Sequence, residues 1–185
     1  MSGEKEQRLV WIDLEMTGLH PEIDVILEIA TIVTDNQLNI LAKGPSLIIH
    51  QPEDKMSPMS DWVFNQHSKS GLLDAVRHSL ISMHDAEQQT LTFLNQYCAP
   101  GIAPLCGNSV WQDRAFLRMH MPRIVDFLHY RMIDVTTVKE LVKRWYPHNP
   151  HTMFKKQDHH RALDDIQESI HELAFYRQHF FLPNV

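Results

Sequence analysis

Residues 9–19 read Leu9-Val10-Trp11-Ile12-Asp13-Leu14-Glu15-Met16-Thr17-Gly18-Leu19, an apolar run interrupted by two carboxylates. In a β-strand, residues i and i+2 point to the same face, so this run places Asp13 and Glu15 side by side. Two neighbouring carboxylates in a partly buried position repel each other unless a cation lies between them. Clustered oxygen ligands suit Mg²⁺ or Mn²⁺, so the stretch predicts a strand that carries a metal site.

Composition limits what such a site can act on. The chain of 185 residues carries 17 Lys and Arg against 23 Asp and Glu, a net charge of −6. This balance argues against a protein that coats long nucleic acids by neutralising their phosphates, but it allows a short nucleic acid as ligand.

The expected location is the cytoplasm. Cys98 and Cys106 lack CxxC spacing, which favours reduced thiols. No apolar run approaches the roughly 20 residues of a membrane span. We expect a flexible N-terminus at 1–8, followed by a single domain at 9–181.

The pattern of apolar residues predicts alternating strands and helices. Three strands, at 9–16, 25–35 and 39–49, form an antiparallel meander. Further along the chain, helical spacing alternates with short strands at 105–109 and 132–134, and a long helix covers about 160–180. This order predicts an α/β fold: a mixed five-stranded sheet flanked by helices.

Two capping boxes are expected to mark helix starts: Asp85 with Gln88, and Ser109 with Gln112. The second box opens a helix that carries Asp113 in its first turn. This helix follows a strand and a turn, where open α/β sheets bind ligands. We therefore expect Asp113 to approach the carboxylates of the first strand.

A fourth carboxylate is expected from His160-Arg161-Ala162-Leu163-Asp164-Asp165. On an ideal helix Asp164 lies about 40° from His160, and Asp165 lies about 140° away. If His160 belongs to the preceding loop, this objection to Asp165 disappears. Spacing alone leaves both aspartates open.

Three segments resemble motifs of one enzyme family. The motifs of the DEDDh 3′-to-5′ exonucleases are similar to residues 13–19 (Asp-Leu-Glu-Met-Thr-Gly-Leu), 107–113 (Gly-Asn-Ser-Val-Trp-Gln-Asp) and 160–165 (His-Arg-Ala-Leu-Asp-Asp). Within that superfamily, the chain length and the stretch 129–134 resemble the oligoribonucleases, and the likeness spans about 9–181. It implies an RNase H-like fold, a homodimer, and hydrolysis of short single-stranded RNA, down to dinucleotides. Cleavage would run from the 3′ end to 5′-mononucleotides, the final step of RNA degradation.

The resemblance also implies site residues. Two divalent ions, Mg²⁺ or Mn²⁺, would be held by four carboxylates: Asp13, Glu15, Asp113 and Asp165. His160 would be the general base, and the family's motif selects Asp165 over Asp164. Tyr130 is also implied as a catalytic residue, contributed across the homodimer interface. The implied substrate-binding residues are Leu19 and Trp62, which contact the bases, and Ser109, Arg131 and Thr136, which cap the 5′ phosphate with His67 nearby. Thr136 keeps the hydroxyl of the serine found there in the family.

The side-chain chemistry fits these roles. Two ions about 4 Å apart can activate water and stabilise the leaving oxygen. His160, with an ordinary pKa of about 6.5, can accept a proton near neutral pH. Arg131 can hold a phosphate through two hydrogen bonds, and Trp62 offers a stacking plane that tolerates any base.

Each signal also has a structural reading. A lone Asp-x-Glu is more often solvated surface, Ser109 can be only a helix cap, and Leu19, Trp62 and Tyr130 are residue types that usually pack. Two rival functions stay open. One is a DNA-trimming or proofreading exonuclease of the same superfamily, and the other is a catalytically inactive nucleotide-binding module.

Overall fold

The central strand of the sheet carries the first two carboxylates. The computed structural model describes residues 8–57, 59–155 and 161–182. The strands are β1 (Arg8–Met16), β2 (Ile26–Asp35), β3 (Ile40–Ile48), β4 (Leu105–Gly107) and β5 (Met132–Asp134). They form one five-stranded sheet in the order β3-β2-β1-β4-β5, which places β1 in the middle.

The first three strands form the predicted antiparallel meander, and β4 and β5 add parallel strands. The mixed five-stranded sheet is therefore confirmed. The parallel pairs between β1 and β4 involve Val10 and Trp11. The end of β1 that carries Asp13 and Glu15 therefore extends beyond its pairs with β4. On the other edge of β1 the pairing with β2 continues, and Glu15 lies opposite Glu28.

Eight helices in the described residues surround the sheet: α1 (Glu53–Met56), α2 (Asp61–Lys69), α3 (Leu72–His78), α4 (Met83–Tyr97), α5 (Trp111–His120), α6 (Pro122–Phe127), α7 (Val135–Trp145) and α8 (Ala162–Phe180). None of them is both long and apolar enough to cross a bilayer.

Alternate residues of β1 are buried against different helices. One face packs with α4, α5 and α6 through three aliphatic side chains: Val10, Ile12 and Leu14. The opposite face packs on α8 through Leu9 and Trp11. Because side chains alternate along a strand, Asp13 and Glu15 continue this second face. The apolar face that seats α8 therefore ends in two carboxylates.

The first predicted capping box is wrong by three residues. α4 begins at Met83, and Ser82 is its N-cap. The Ser82 hydroxyl accepts a hydrogen bond from the Asp85 N–H, and the Asp85 carboxylate accepts one from the Ser82 N–H. Asp85 is thus the distal partner of a Ser82–Asp85 box, not the cap of a box with Gln88.

The second predicted capping box is also wrong. Ser109 adopts a left-handed backbone with φ 51°, and the N-cap of α5 is Val110. The Gln112 side chain points away from the cap and donates to the Leu19 carbonyl at 2.6 Å. Ser109 is therefore outside the helix, with its side chain free of any capping role.

Two elements begin at residues other than those predicted. β1 begins at Arg8 rather than at residue 9, and α8 begins at Ala162, with Arg161 as its N-cap. The expectations for the N-terminal residues 1–7 and for His160 lie outside the described residues. The long helix ends at Phe180, as the apolar pattern predicted.

Candidate active site

Three carboxylates meet where β1 reaches the first turn of α8. Ligand oxygens of Asp13, Glu15 and Asp165 all lie within 4.8 Å of one another. Asp13 and Glu15 occupy alternate positions on β1, and Asp165 lies in the first turn of α8. An acidic residue is favoured there by the helix dipole. Of the two neighbouring aspartates, Asp165 belongs to the cluster, whereas Asp164 is exposed to solvent.

The start of α8 explains this choice. Ala162 and Ile166 are buried on the sheet face of the helix. With 100° per residue, Asp165 lies about 60° from Ala162, whereas Asp164 lies about 160° away. The sequence left the choice open because it depended on where the helix begins.

Asp113 lies beside the cluster. It is in the first turn of α5, its residue is 6% exposed, and its Oδ1 accepts a hydrogen bond from the Leu14 N–H at 3.1 Å. This amide belongs to the part of β1 beyond the pairs with β4. Asp113 thus satisfies a strand amide between the two carboxylates of β1, and its charge acts on Glu15.

Burial makes the carboxylates costly to ionise without a cation. Desolvation, followed by repulsion from Asp165 and Glu28, raises the pKa of Glu15 to about 8, although Arg161 opposes the rise. Desolvation also raises the pKa of Asp113 to about 7. Near neutral pH this site therefore holds protons that a divalent cation would displace.

The donor set fits a hard divalent cation. The cluster offers carboxylate oxygens, which are the preferred ligands of Mg²⁺ and Mn²⁺. The neighbouring cation, Arg161, donates two hydrogen bonds of 3.0 Å to the buried Glu28. Because the charge of Arg161 is balanced mainly by Glu28, a metal ion would supply most of the positive charge that neutralises the cluster.

A cleft of about 540 Å³ opens next to Glu15. It is lined by residues that include Leu19, Trp62 and His67. Leu19 is 67% exposed and Trp62 66% exposed, so neither belongs to the core. His67 is buried, donates through Nε2 to the Met16 carbonyl at 2.9 Å, and places Nδ1 3.8 Å from the Glu15 carboxylate. The structure thus places His67 with Leu19 and Trp62, at the carboxylate end of the site.

A tight turn after β1 exposes Leu19. The Asp24 carboxylate accepts hydrogen bonds from the Thr17 hydroxyl at 3.0 Å and the His20 N–H at 2.9 Å. A Cβ on Gly18 would meet this carboxylate at 2.5 Å, so a larger residue would have to displace Asp24 from these hydrogen bonds. The turn thus holds Leu19 at the surface, in the cleft that Trp62 also lines.

Ser109 and Thr136 meet at a second position. Their hydroxyl oxygens are 3.1 Å apart, and the Ser109 N–H donates to Asp134 Oδ1 and Thr136 Oγ1, both at 2.9 Å. Asp134 also caps α7 by accepting from the Thr136 N–H at 2.9 Å. Two segments, after β4 and after β5, therefore join their hydroxyls at one place.

Tyr130 and Arg131 stand at the surface. Tyr130 is 70% exposed, and the guanidinium carbon of Arg131 lies 5.3 Å from its ring centre. The Arg131 N–H donates to His129 Nδ1 at 3.1 Å. Their roles in a site stay predictions, and the same holds for the general base His160, which lies outside the described residues.

Several residues of the site were missed from sequence. Glu28 is buried opposite Glu15 on β2 and is paired with Arg161, and Asn108 makes three side-chain hydrogen bonds near Ser109. Their partners are between 28 and 133 residues away along the chain. No local spacing rule connects such residues.

Comparison with known proteins identifies the family. The RNase T family model, described as an exonuclease, matches residues 10–173. An oligoribonuclease of Shewanella loihica is 56% identical over 178 residues, covering 95% of this chain and 97% of the relative. One of Pseudomonas paraeruginosa is 55% identical over 177 residues, covering 96% of this chain and 98% of the relative. The chain belongs to the oligoribonuclease family of exonucleases.

Solved structures of exonuclease I share the fold of this oligoribonuclease family member. The zinc-bound Escherichia coli exonuclease I in complex with single-stranded DNA gives a TM-score of 0.70 at 12% identity, over 94% of this chain. Exonuclease I of Methylocaldum szegediense gives 0.68 at 16% identity, again over 94% of this chain. The chain spans 41% of the length of each. This likeness confirms the RNase H-like fold implied by the sequence motifs.

The raised pKa values predict a pH-dependent stability of the metal-free protein. The pKa of Glu15 is about 8 in the folded protein against an ordinary value of 4.5, so the folded state binds more protons between these values. Stability therefore falls as the pH rises from about 4.5 to 8. In the presence of EDTA, the Tm should decrease across this window, and Mg²⁺ should raise the Tm more at the alkaline end.

The Glu15→Gln variant is the control for this prediction. It removes the main titrating group, so its Tm in EDTA should depend less on pH than that of the wild type. A wild-type Tm that is flat with pH in EDTA, or an equal effect of Mg²⁺ at both ends, would contradict the crowding of the carboxylates.

Substitutions of the two neighbouring aspartates of α8 should affect metal binding differently. Asp165→Asn removes a charged oxygen of the cluster and should weaken Mn²⁺ binding by about tenfold or more, because each charged ligand offsets part of the ion's desolvation. Asp164→Asn is matched in size and charge but lies on the exposed side, and it should bind Mn²⁺ like the wild type. Titration calorimetry measures both. The reverse ranking would show that the cluster is assigned to the wrong aspartate.

Proposed function

We propose that this protein is a metal-dependent 3′-to-5′ exoribonuclease that hydrolyses short oligoribonucleotides, including dinucleotides, to 5′-mononucleotides. The observation that carries the proposal is the cluster of Asp13, Glu15 and Asp165 beside a cleft with exposed Leu19 and Trp62. Relatives at more than half identity are named oligoribonucleases, which supports the substrate class.

The proposed cofactor is a pair of Mg²⁺ or Mn²⁺ ions. Asp13, Glu15 and Asp165 would hold one ion, and Asp113, which lies beside them, would share in holding the second. When bound, such ions activate water and stabilise the charge of the leaving 3′ oxygen. The pKa values of Glu15 and Asp113 support the proposal, because both carboxyls are too buried to ionise cheaply without a counter-charge.

The protein's own side chains would orient the RNA. The exposed faces of Trp62 and Leu19 can enclose bases without selecting their identity, because every base offers a flat apolar face. His67, hydrogen-bonded to Met16 and close to Glu15, would hold the carboxylate end of this cleft. His160, as general base, would accept the proton of the attacking water.

The opposite end of the substrate would be capped at its 5′ phosphate. Ser109 and Thr136 present neighbouring hydroxyls, and Arg131 adds an exposed guanidinium on the same segment as β5. A hydroxyl and a guanidinium are suitable donors to a phosphate, and the charge-assisted bonds of arginine are the stronger ones. A cap at a fixed distance from the carboxylate cluster would favour very short chains.

We also propose a cytoplasmic homodimer in which Tyr130 reaches the site of the second copy. Tyr130 and Trp111 are large side chains with 70% and 60% exposure, respectively. Exposed aromatic residues are enriched in protein interfaces. Tyr130 would then contribute to the catalytic site of the partner, whereas Arg131 would serve the cap of its own copy.

Two alternatives give different expectations. A DNA-trimming exonuclease of the same fold should act on long chains, for which a net charge of −6 offers little long-range attraction. A catalytically inactive nucleotide-binding module has no need of a cluster in which Asp165 and Asp113 raise the pKa of Glu15. Both are weaker explanations of this site than a short-chain exoribonuclease.

The proposed cap predicts a strong dependence on substrate length and on the 5′ phosphate. A dinucleotide satisfies the carboxylate end, the bases and the cap together, whereas a longer chain must displace the cap. The rate constant kcat/KM should therefore fall steeply beyond a few nucleotides. Removing the 5′ phosphate, or making Arg131→Ala, should cost about 1.5–3 kcal/mol in dinucleotide cleavage, as expected for a lost charge-assisted hydrogen bond.

The test uses labelled RNA and DNA from dinucleotides to long oligomers, with Mg²⁺ and with EDTA. Arg144→Ala is the control, because Arg144 is an exposed arginine of α7 that pairs with Glu140. It should cleave dinucleotides like the wild type. Equal rates on long and short RNA, with no effect of the 5′ phosphate, would replace the proposal by a general exonuclease.

A further inference from the structure

A hydrogen-bond network connects the two ends of the proposed substrate site. Its central residue is Asn108, which lies between the end of β4 and Ser109. The Asn108 amide Nδ2 donates to Ser169 Oγ at 2.8 Å and to Glu172 Oε2 at 3.1 Å. Its Oδ1 accepts from the Thr136 hydroxyl at 3.2 Å. One side chain thus contacts both α7 and α8.

Glu172 fixes which way the Asn108 amide points. Glu172 is fully buried, and its carboxylate accepts from Lys139 Nζ at 2.8 Å and from the Tyr176 hydroxyl at 3.1 Å. A carboxylate paired with lysine offers only acceptors, so Asn108 must turn its NH₂ group toward it. The amide oxygen of Asn108 must then face Thr136.

The orientation of the Asn108 amide determines which hydroxyl of the proposed cap is the hydrogen-bond donor. Because Asn108 offers an oxygen, the Thr136 hydroxyl donates to it and is an acceptor for Ser109. The Ser109 hydroxyl is then the donor of the pair, and it can turn to a phosphate without leaving a buried group unpaired. The Ser109 N–H is already held by Asp134 and Thr136.

The same network stabilises an unfavourable backbone. Ser109 has φ 51°, a left-handed conformation that is unfavourable for a residue with a side chain. The two hydrogen bonds from its N–H and the contact of its hydroxyl with Thr136 offset this cost. The position of the Ser109 hydroxyl therefore depends on partners supplied by β5 and α7, which Asn108 holds through Thr136.

The other branch of the network reaches the carboxylate cluster. Ser169 Oγ accepts from Asn108 and donates to the Asp165 carbonyl at 2.8 Å. Ser169 is 4% exposed, so this contact lies in the interior. Asn108 is thus joined through Ser169 to the helical turn that carries Asp165, and through Thr136 to the proposed cap.

We propose that Asn108 and Glu172 are positioning residues that fix the spacing between the carboxylate cluster and the Ser109–Thr136 cap. This spacing selects a 5′-phosphorylated dinucleotide over longer chains. The inference rests on the proposed function and adds the residues that set its length preference. Neither residue touches the substrate, and both act through the hydroxyls and the helix that they hold.

The experiment compares Asn108→Ala with the wild type on three RNA substrates: a 5′-phosphorylated dinucleotide, the same dinucleotide without the phosphate, and a 5′-phosphorylated heptanucleotide. For the first substrate kcat/KM should fall roughly tenfold, mainly through KM, as expected when buried partners of a binding group are lost. The other two substrates should change by less than about threefold, because they do not use the cap fully.

Asn95→Ala is the matched control. Asn95 lies on α4, is exposed, and donates through Nδ2 to the Leu91 carbonyl at 2.8 Å. Its substitution removes the same type of amide and one local hydrogen bond, on a helix that supplies no residue to the network. It should leave the ratio between the three substrates unchanged, with a Tm close to that of the wild type.

Glu172→Gln provides a second variant that keeps the size of the side chain. A glutamine can offer either its oxygen or its NH₂ group, so Asn108 loses the partner that fixes its orientation. The variant should show the same selective loss on the phosphorylated dinucleotide. The double variant with Asn108→Ala should lose no more than Asn108→Ala alone, since both act through one amide.

The outcomes separate this inference from the proposed function. An equal loss on all three substrates would mean that Asn108 only stabilises the fold, and wild-type kcat/KM on all three would mean that it does not position the cap. Either result overturns the inference. If the wild type itself ignores the 5′ phosphate and the chain length, the proposed function is what fails.

Discussion

The mutual repulsion of Asp13, Glu15 and Asp165 is the constraint on which the site depends. Their oxygens lie within 4.8 Å of one another at the end of a buried strand face. Burial raises the pKa of Glu15 to about 8, so the site holds protons or a divalent cation near neutral pH. The fold maintains this costly arrangement because α8 packs on the apolar half of the same face, through Trp11.

The two ends of the proposed substrate site are built differently. The carboxylate end rests on the central strand and on the first turn of α8, which the core holds in place. The opposite end consists of hydroxyls from the turn after β4 and from the first turn of α7, and its geometry depends on side-chain hydrogen bonds through Asn108. A site of this kind can hold a metal rigidly and still adjust its length preference through a few polar residues.

Sequence patterns predicted the features that depend on the spacing of neighbouring residues. They failed for features that are determined by contacts between residues far apart in the chain. Alternation along residues 9–16 was enough to place Asp13 and Glu15 on one face, and the apolar runs at 25–35 and 39–49, with the turn residues between them, were enough to predict the antiparallel meander. The choice of Asp165 stayed open because a shift of the α8 start by two residues changes which aspartate faces the sheet. Ser109 was misread as a helix cap, because its hydrogen-bond partners come from Asp134 and beyond.

The central claim is that the carboxylate cluster binds the catalytic divalent ions. Anomalous diffraction from a crystal containing Mn²⁺ tests it most directly, because the signal locates the ion independently of any activity. We predict a strong anomalous peak between the oxygens of Asp13, Glu15 and Asp165, with distances of about 2.0–2.2 Å expected for a small divalent cation, and no such peak in Asp165→Asn. A protein that is active with Mn²⁺ while its ion binds elsewhere, or that shows no peak at this cluster, would contradict the account.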